Sequence, residues 1–533
     1  MLAAAMIGGE TAAGAALPSD IVTWETIGDL SMFVMLLTVL FVTVGADLPE
    51  RLKGKEPCLG DFLYCEEFFI VKSGEEKEKI FNDPVYCLEM ESSVDSGDVF
   101  SNLPLNIIEC ILVLLPIRDA VRTSILSSKW RYRWTTIPQL VFDEMQFPAS
   151  SPLTIIRRKA INFIDRVLLL HNGPILKFKL SIGCLQSCSD IDQWILYLSR
   201  KDIKEFTLRL DDSEWYKVPS CLFSFQQLTH LELLRCELQP PPSFKGFSNL
   251  KYLTLQQSFS ENDIIEDLIS SCPLLEHFTL SYWDASSIQI SAPNLKYLRL
   301  EGEFKDIYLK NTPLLTTLSI GLYMTDDIAE HLEETTSCNL MGILSCLPHL
   351  ERLVAETYFV KYLSVGMLPW NRLSGTYNHL KHLELFQVGF EDVDEISVAL
   401  YLIVSSPSLE ELQISGSSDI EIADESFDLN FWEMQHSLDC SSPKLRTVKM
   451  VEISGVQNEL EFIKFVLAKS PALKNMSIKP SAYVKEGGWE MLVELLHFPR
   501  ASPQARVLYM QDQRTIGTGR FKVIQASDFV LDD

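Results

Sequence analysis

From about residue 170 to 480, one pattern of apolar positions recurs as LxxLxL or a close variant. It appears as QLTHLEL, NLKYLTL, LLEHFTL, NLKYLRL, LLTTLSI, HLERLVA, HLKHLEL, SLEELQI, KLRTVKM and ALKNMSI, with a weaker copy in IKEFTLRL. The leading residues are Ile203, Leu228, Leu250, Leu275, Leu295, Leu315, Leu350, Leu380, Leu409, Leu445 and Leu473, spaced 20 to 36 residues apart. Each copy predicts one short strand, whose successive side chains point to opposite faces. The fourth and sixth positions therefore enter a core, and the third and fifth face away from it.

Period and pattern are those of a leucine-rich-repeat solenoid, with irregular units and insertions. The third position reads His230, Tyr252, His277, Tyr297, Thr317, Arg352, His382 and Glu411, and Arg299 holds the fifth beside Tyr297. A concave sheet lined by His, Tyr and Arg suits recognition of a protein, since Tyr and Arg are frequent interface anchors. His230, Tyr252, His277, Tyr297, Arg299, Arg352 and His382 are the expected target-binding residues. An exposed polar column without a ligand is the alternative. Two insertions stand apart, 324–340 and the acidic 418–439, which carries Phe431-Trp432 as candidate exposed aromatics.

A different pattern occupies 98–145. Leu103-Pro104 predicts an extended entry, with Pro suited to a helix start. Ile107, Ile108, Ile111, Leu112 and Leu115 recur at helical spacing. Pro116 ends that helix. Asp119 caps or begins the next, in which Val121, Ile125 and Leu126 form an apolar stripe, and Trp130 and Trp134 follow. So short a segment is marginal alone, so part of its apolar face is expected to dock on another protein or on the next domain, a helical hairpin packed only on its own chain being the alternative.

Towards the C-terminus, Leu460, Ile463, Phe465, Val466 and Leu467 predict a helix ending before Pro471, between the strand-like KLRTVKM and ALKNMSI. The chain beyond Gln511 is expected to be loose. Near the N-terminus, Leu30 to Ala46 is an uncharged apolar run of 17 residues, at the short edge of a bilayer span. If it spans, Arg51, Lys53 and Lys55 place everything after residue 46 in the cytosol. A buried helix is the other reading, and membrane attachment is not the favoured one. Met90 precedes an acidic, Ser-rich lead and is a candidate start of translation.

The 533 residues exceed one ordinary core and imply two to four modules. With 46 Lys and Arg against 72 Asp and Glu, the net charge is −26, which argues against nucleic acid as a partner. The 12 cysteines include no CxxC, and Cys184 and Cys188 have no second pair, so reduced thiols in cytosol or nucleus are expected. The sequence has no GxxxxGK[ST], HExxH or GxSxG. No catalytic residue, metal or cofactor is expected.

Residues 98–145 resemble an F-box of the plant type. The resemblance rests on Leu103-Pro104, Ile107-Ile108, Ile111-Leu112, Leu115-Pro116, Asp119-Ala120-Val121, Thr123-Ser124, Leu126-Ser127, Trp130-Arg131 and Trp134. ELEFIKFVLAKSPALKNMSI is similar to the FBD module of plant F-box proteins. The resemblance implies an α/β chain: an N-terminal extension (1–97), F-box (98–145), leucine-rich-repeat solenoid (146–440), FBD module (441–520) and tail (521–533). It further implies a non-catalytic substrate receptor of a Skp–cullin–F-box ubiquitin ligase. Leu103, Pro104, Ile108, Ile111, Leu112, Leu115, Pro116, Val121 and Trp130 would then form or support the face for the Skp adaptor, and the repeats would hold an unknown protein target.

Overall fold

The computed structural model describes residues 105–125, 130–147, 152–185, 188–210, 215–258, 262–323, 343–344, 346–365, 376–417, 427–481, 488–512 and 521–525. The apolar run 30–46, Met90, Leu103, Pro104 and the insertion 324–340 lie outside the described residues. The chain divides into two compact units, Met1–Ile108 and Glu109–Asp533, and only residues 105–108 of the first are described.

The helical segment opens with α1 (Leu105–Leu114) and α2 (Ile117–Arg122). Pro116 sits between them and occupies the N-cap of α2, while Asp119 lies in its first turn and caps nothing. One side of α2 turns inward through Ile117, Ala120 and Val121, beside the buried Trp130 and Trp134.

Among the described residues, fifteen strands then form one sheet in the order β1-β2-β3-β5-β7-β8-β9-β10-β11-β12-β13-β14-β15-β16-β17. They are β1 (Gln139–Asp143), β2 (Lys177–Ser181), β3 (Glu205–Arg209), β5 (His230–Leu234), β7 (Tyr252–Gln256), β8 (His277–Ser291), β9 (Tyr297–Lys310) and β10 (Thr317–Leu322). The sheet continues through β11 (Arg352–Ala355), β12 (His382–Val388), β13 (Glu411–Gly416), β14 (Thr447–Ile453), β15 (Asn475–Pro480), β16 (Arg506–Asp512) and β17 (Phe521–Gln525). A separate small pair joins β4 (Tyr216–Lys217) to β6 (Cys236–Glu237).

Every neighbouring pair in the large sheet is parallel except β16–β17. The motif explains the register. Leu231, Leu253, Phe278, Leu298, Leu318, Leu353, Leu383 and Leu412 pair in sequence along the sheet and are all buried. Phe178 and Phe206 stack in the same layer at 5.8 Å.

Repeat length decides what covers the core. Leu275, Leu295 and Leu315 are 20 residues apart, which leaves no room for a helix, so β8 and β9 run on and pair again as Ile288↔Ile307 and Ile290↔Leu309. Longer units return through helices: α5 (Asn262–Ser270), α6 (Phe359–Val365), α7 (Val393–Val404), α8 (Leu429–Ser437) and α9 (Gln457–Lys469). α3 (Leu153–Leu170), α4 (Asp190–Leu198) and α10 (Gly488–His497) complete the set among the described residues. Asp392 accepts a hydrogen bond from the Asp394 N–H at 2.8 Å and so starts α7, while Asp428 does the same for α8 through the Phe431 N–H. α9 spans the predicted helix and ends before Pro471.

Three features differ from the expectation. β1 lies within 98–145 and already belongs to the sheet, because Ile137, Leu140 and Phe142 reproduce the apolar spacing of the repeats and are buried. The sheet also crosses residue 440 without interruption, since β13 pairs with β14 and β14 with β15. Finally, the segment after Gln511 is not wholly loose. β17 pairs antiparallel with β16, from Leu508↔Gln525 to Asp512↔Phe521, and satisfies backbone groups that an edge strand leaves open.

Glu395, in the first turn of α7, is 5% exposed and accepts a hydrogen bond from the Gly389 N–H at 2.9 Å. Burial pushes its carboxyl up to about 7, against that hydrogen bond, and Asp392 adds to the rise. A carboxyl raised on folding stabilises the fold below its unfolded pKa, and that contribution is lost as pH rises through its folded pKa. Glu395→Gln is therefore expected to match the parent near pH 4.5 and to exceed it at about pH 8 by up to about 3 kcal/mol. Urea unfolding at the two pH values measures this, and equal differences at both would contradict it.

Candidate functional site

Two surfaces carry the candidate residues. The first belongs to the helical segment. Leu112 is fully buried, and Ile108, Val121 and Trp130 are buried as well. These four therefore support the segment from within and are not free for a partner. Ile111, Leu115 and Pro116 are half-buried, and Leu114, not among the expected residues, is 44% exposed. Sequence spacing marked Leu114 only as one more residue in an apolar run.

α2 packs on β1, and Arg118 donates to the Gln146 carbonyl while lying over the Phe147 ring at 5.8 Å. Among the described residues of the segment, Leu114 and Tyr132 are its exposed large apolar side chains, and Ile111, Leu115 and Pro116 beside Leu114 are partly exposed.

The second surface is the sheet face opposite the helices. His230, Tyr252, His277 and Tyr297 hold equivalent positions on β5, β7, β8 and β9. Their rings form a continuous ladder, with centroids 4.1, 4.4 and 5.6 Å apart and planes within 8°, 11° and 29°. Burial lowers the pKa of both His230 and His277, which favours the neutral rings that stack. His382 stands farther along the same row, with its Nδ1 3.3 Å from the Glu411 carboxylate.

Arg299 and Arg352 behave differently from the rings. Arg299 contacts Glu356 at 2.9 Å and Glu301 at 3.3 Å. Burial opposes its charge, but Glu356 and Glu301 outweigh burial and raise its pKa above the usual range. Ser319 Oγ donates to the other Glu356 oxygen at 2.7 Å, and Tyr323 OH donates to Glu301 at 2.7 Å. Arg352 pairs with Glu384. Arg299, Ser319, Glu356, Arg352 and Glu384 border a cleft of about 810 Å³ that also includes Tyr297, Thr317, Phe386, Gln387 and Glu452.

Glu301 and Glu356 are absent from the expected residues. They hold the seventh position of the motif, which period two places on the same face as the third and fifth. Gln387 and Glu452 lie one place farther, with φ of +56° and +58°. Arg235, Gln257 and Tyr282 take the same left-handed conformation at the ends of their own repeats.

The comparisons match these parts to known families. Residues 100–140 match the F-box domain, 191–414 match the repeats of "FBD-associated F-box protein At5g56370, LRR repeats", and 435–478 match the FBD. "F-box/FBD/LRR-repeat protein At1g13570" of Arabidopsis thaliana is 49% identical over 420 residues, covering 78% of this chain and 100% of that protein. The chain belongs to the F-box/FBD/LRR-repeat family. "FBD-associated F-box protein At5g56370" of Arabidopsis thaliana is 27% identical over 458 residues, covering 77% of this chain and all of the relative. The order F-box, leucine-rich repeats, FBD is thus that of the plant family. In this chain the FBD match spans the end of α8, β14, α9 and most of β15, so it extends the repeat sheet.

Phe431 and Trp432 are not exposed aromatics. Trp432 is 1% exposed and donates its indole N–H to Asn458 Oδ1 at 2.9 Å, and Phe431 packs edge-on against it. Placed on α8 beside α9, they belong to the buried core just ahead of the FBD match. Residues 418–426 of the same insertion lie outside the described residues. Among the described residues, no group of His, Cys, Asp and Glu is placed to hold a metal, and no helix is long and apolar enough to cross a membrane. Trp432→Ala is expected to lower stability by about 3–5 kcal/mol, read as a lower thermal midpoint. An unchanged midpoint would return this side chain to the surface.

Proposed function

We propose that this F-box protein is the substrate-recognition subunit of a Skp–cullin–F-box ubiquitin ligase. One observation carries the reading. The F-box segment packs on β1 of the sheet through α2 and leaves Leu114 exposed, with Ile111, Leu115 and Pro116 partly exposed beside it. Apolar surface of this kind is stabilised when a partner covers it. In this reading the Skp adaptor is that partner, and the open face of the repeat sheet holds the target. The chain does no bond chemistry. It raises the effective concentration of target lysines near the charged ubiquitin-conjugating enzyme.

The test is capture of purified Skp adaptor by the full chain and by a Leu114→Asp, Leu115→Asp double variant. Removing two Leu side chains from an interface costs at least about 3 kcal/mol before the desolvation of Asp is counted. The double variant is expected to bind the adaptor at least about a hundredfold more weakly, with its circular dichroism unchanged. Leu112→Asp serves as the contrast, because burying a carboxylate at that position unfolds the segment itself. A folded parent chain that does not bind the adaptor would leave a repeat scaffold outside the ligase.

A further inference from the structure

The ladder of rings on the open face stops one rung short of a cation. After Tyr297 on β9, the same row continues with Thr317 on β10 and Arg352 on β11. Neighbouring strands are about 4.8 Å apart, so the Tyr297 and Arg352 positions are separated by roughly 9.6 Å with only a threonine between them. The ladder's own rings stand 4.1 to 5.6 Å apart, so one further ring fits between the two at the existing spacing.

The rest of β10 keeps this place open. Its open-face residues are Thr317, Ser319 and Gly321, and a Cβ on Gly321 would already lie 3.2 Å from that of Glu356. Tyr297, Thr317 and Arg352 all line the cleft of about 810 Å³. The Arg299–Glu356 pair crosses β10 beside the gap, and Glu384 holds Arg352 on the far side. The walls are thus ordered before anything binds, which lowers the entropy lost on binding.

We propose that this gap receives one aromatic side chain, a tyrosine or tryptophan, of the target. The proposal rests on the reading that the open face holds the target. Tyr297 offers the face of its ring to a stacked partner. Arg352 offers a cation to the other face of the same partner, as guanidinium groups favour aromatic faces. A lysine or arginine in the gap would instead meet the charges of both Arg299 and Arg352. The polar edge of a phenol or indole finds the Thr317 hydroxyl along the strand, which a purely aliphatic side chain leaves unused.

The experiment uses the full chain with N-acetyl-tyrosinamide and N-acetyl-lysinamide as probes, each at millimolar concentration, followed by ligand-observed NMR titration. Thr317→His fills the gap with the chain's own fifth ring, and Tyr297→Leu removes the stacking face. The tyrosine probe is expected to bind in preference to the lysine probe. Both variants are expected to weaken it at least tenfold, and Thr317→His is expected to keep or raise the thermal midpoint. The proposal is overturned if neither probe binds, if the lysine probe binds as tightly, or if either folded variant binds like the parent. Adaptor capture, measured on the same samples, reports on the ligase reading separately. Its loss leaves the probe result standing, and an intact adaptor complex that ignores the tyrosine probe defeats only this proposal.

Discussion

Parallel backbone pairing in a constant register is the constraint on which the rest of the molecule depends. Each strand satisfies its N–H and C=O groups on its two neighbours and thereby stacks equivalent residues in straight rows. The buried rows, such as Leu253, Phe278, Leu298 and Leu318, form the core. The exposed rows form the aromatic ladder and the cleft. The same pairing that holds the fold therefore also fixes the spacing of the groups on the open face.

Because each repeat touches mainly its neighbours, the chain accommodates returns of very different length. Units of 20 residues close with strand, as in β8 and β9, and longer units close with helices such as α7 and α9. The FBD match is absorbed by this logic. Its α9 carries Phe462, Phe465 and Val466 into the core under β14 and β15, as the helices of earlier repeats do. The F-box segment is joined to the other end of the sheet through β1 and α2. The open sheet face and the partly exposed apolar residues Ile111, Leu114 and Leu115 thus lie within the one compact unit Glu109–Asp533.

The polar chemistry of the open face is mostly internal. Arg299 is held by Glu301 and Glu356, Arg352 by Glu384, and Tyr323 by Glu301. Such half-exposed pairs contribute little to stability individually. Their effect is to order long side chains, so that the cleft presents fixed walls.

Much of the architecture was legible in the sequence alone. Period-two alternation inside LxxLxL determined which strand residues are buried, and Leu233, Leu255 and Leu280, at the sixth position, are all fully buried as that spacing requires. Proline positions determined the ends of α1 and α9, through the lost N–H and the steric clash. The F-box and FBD motifs determined the family. Tertiary structure decided the rest, because it depends on which elements meet. Leu112 and Leu114 are equally apolar, yet packing buries one and exposes the other. Phe431 and Trp432 lie in an acidic stretch, yet α9 covers them. The Arg299–Glu356 pair joins residues 57 positions apart in sequence. Local periodicity tells which way a side chain points, but its partner is set by register and by the length of the intervening returns, and only the folded sheet brings those together.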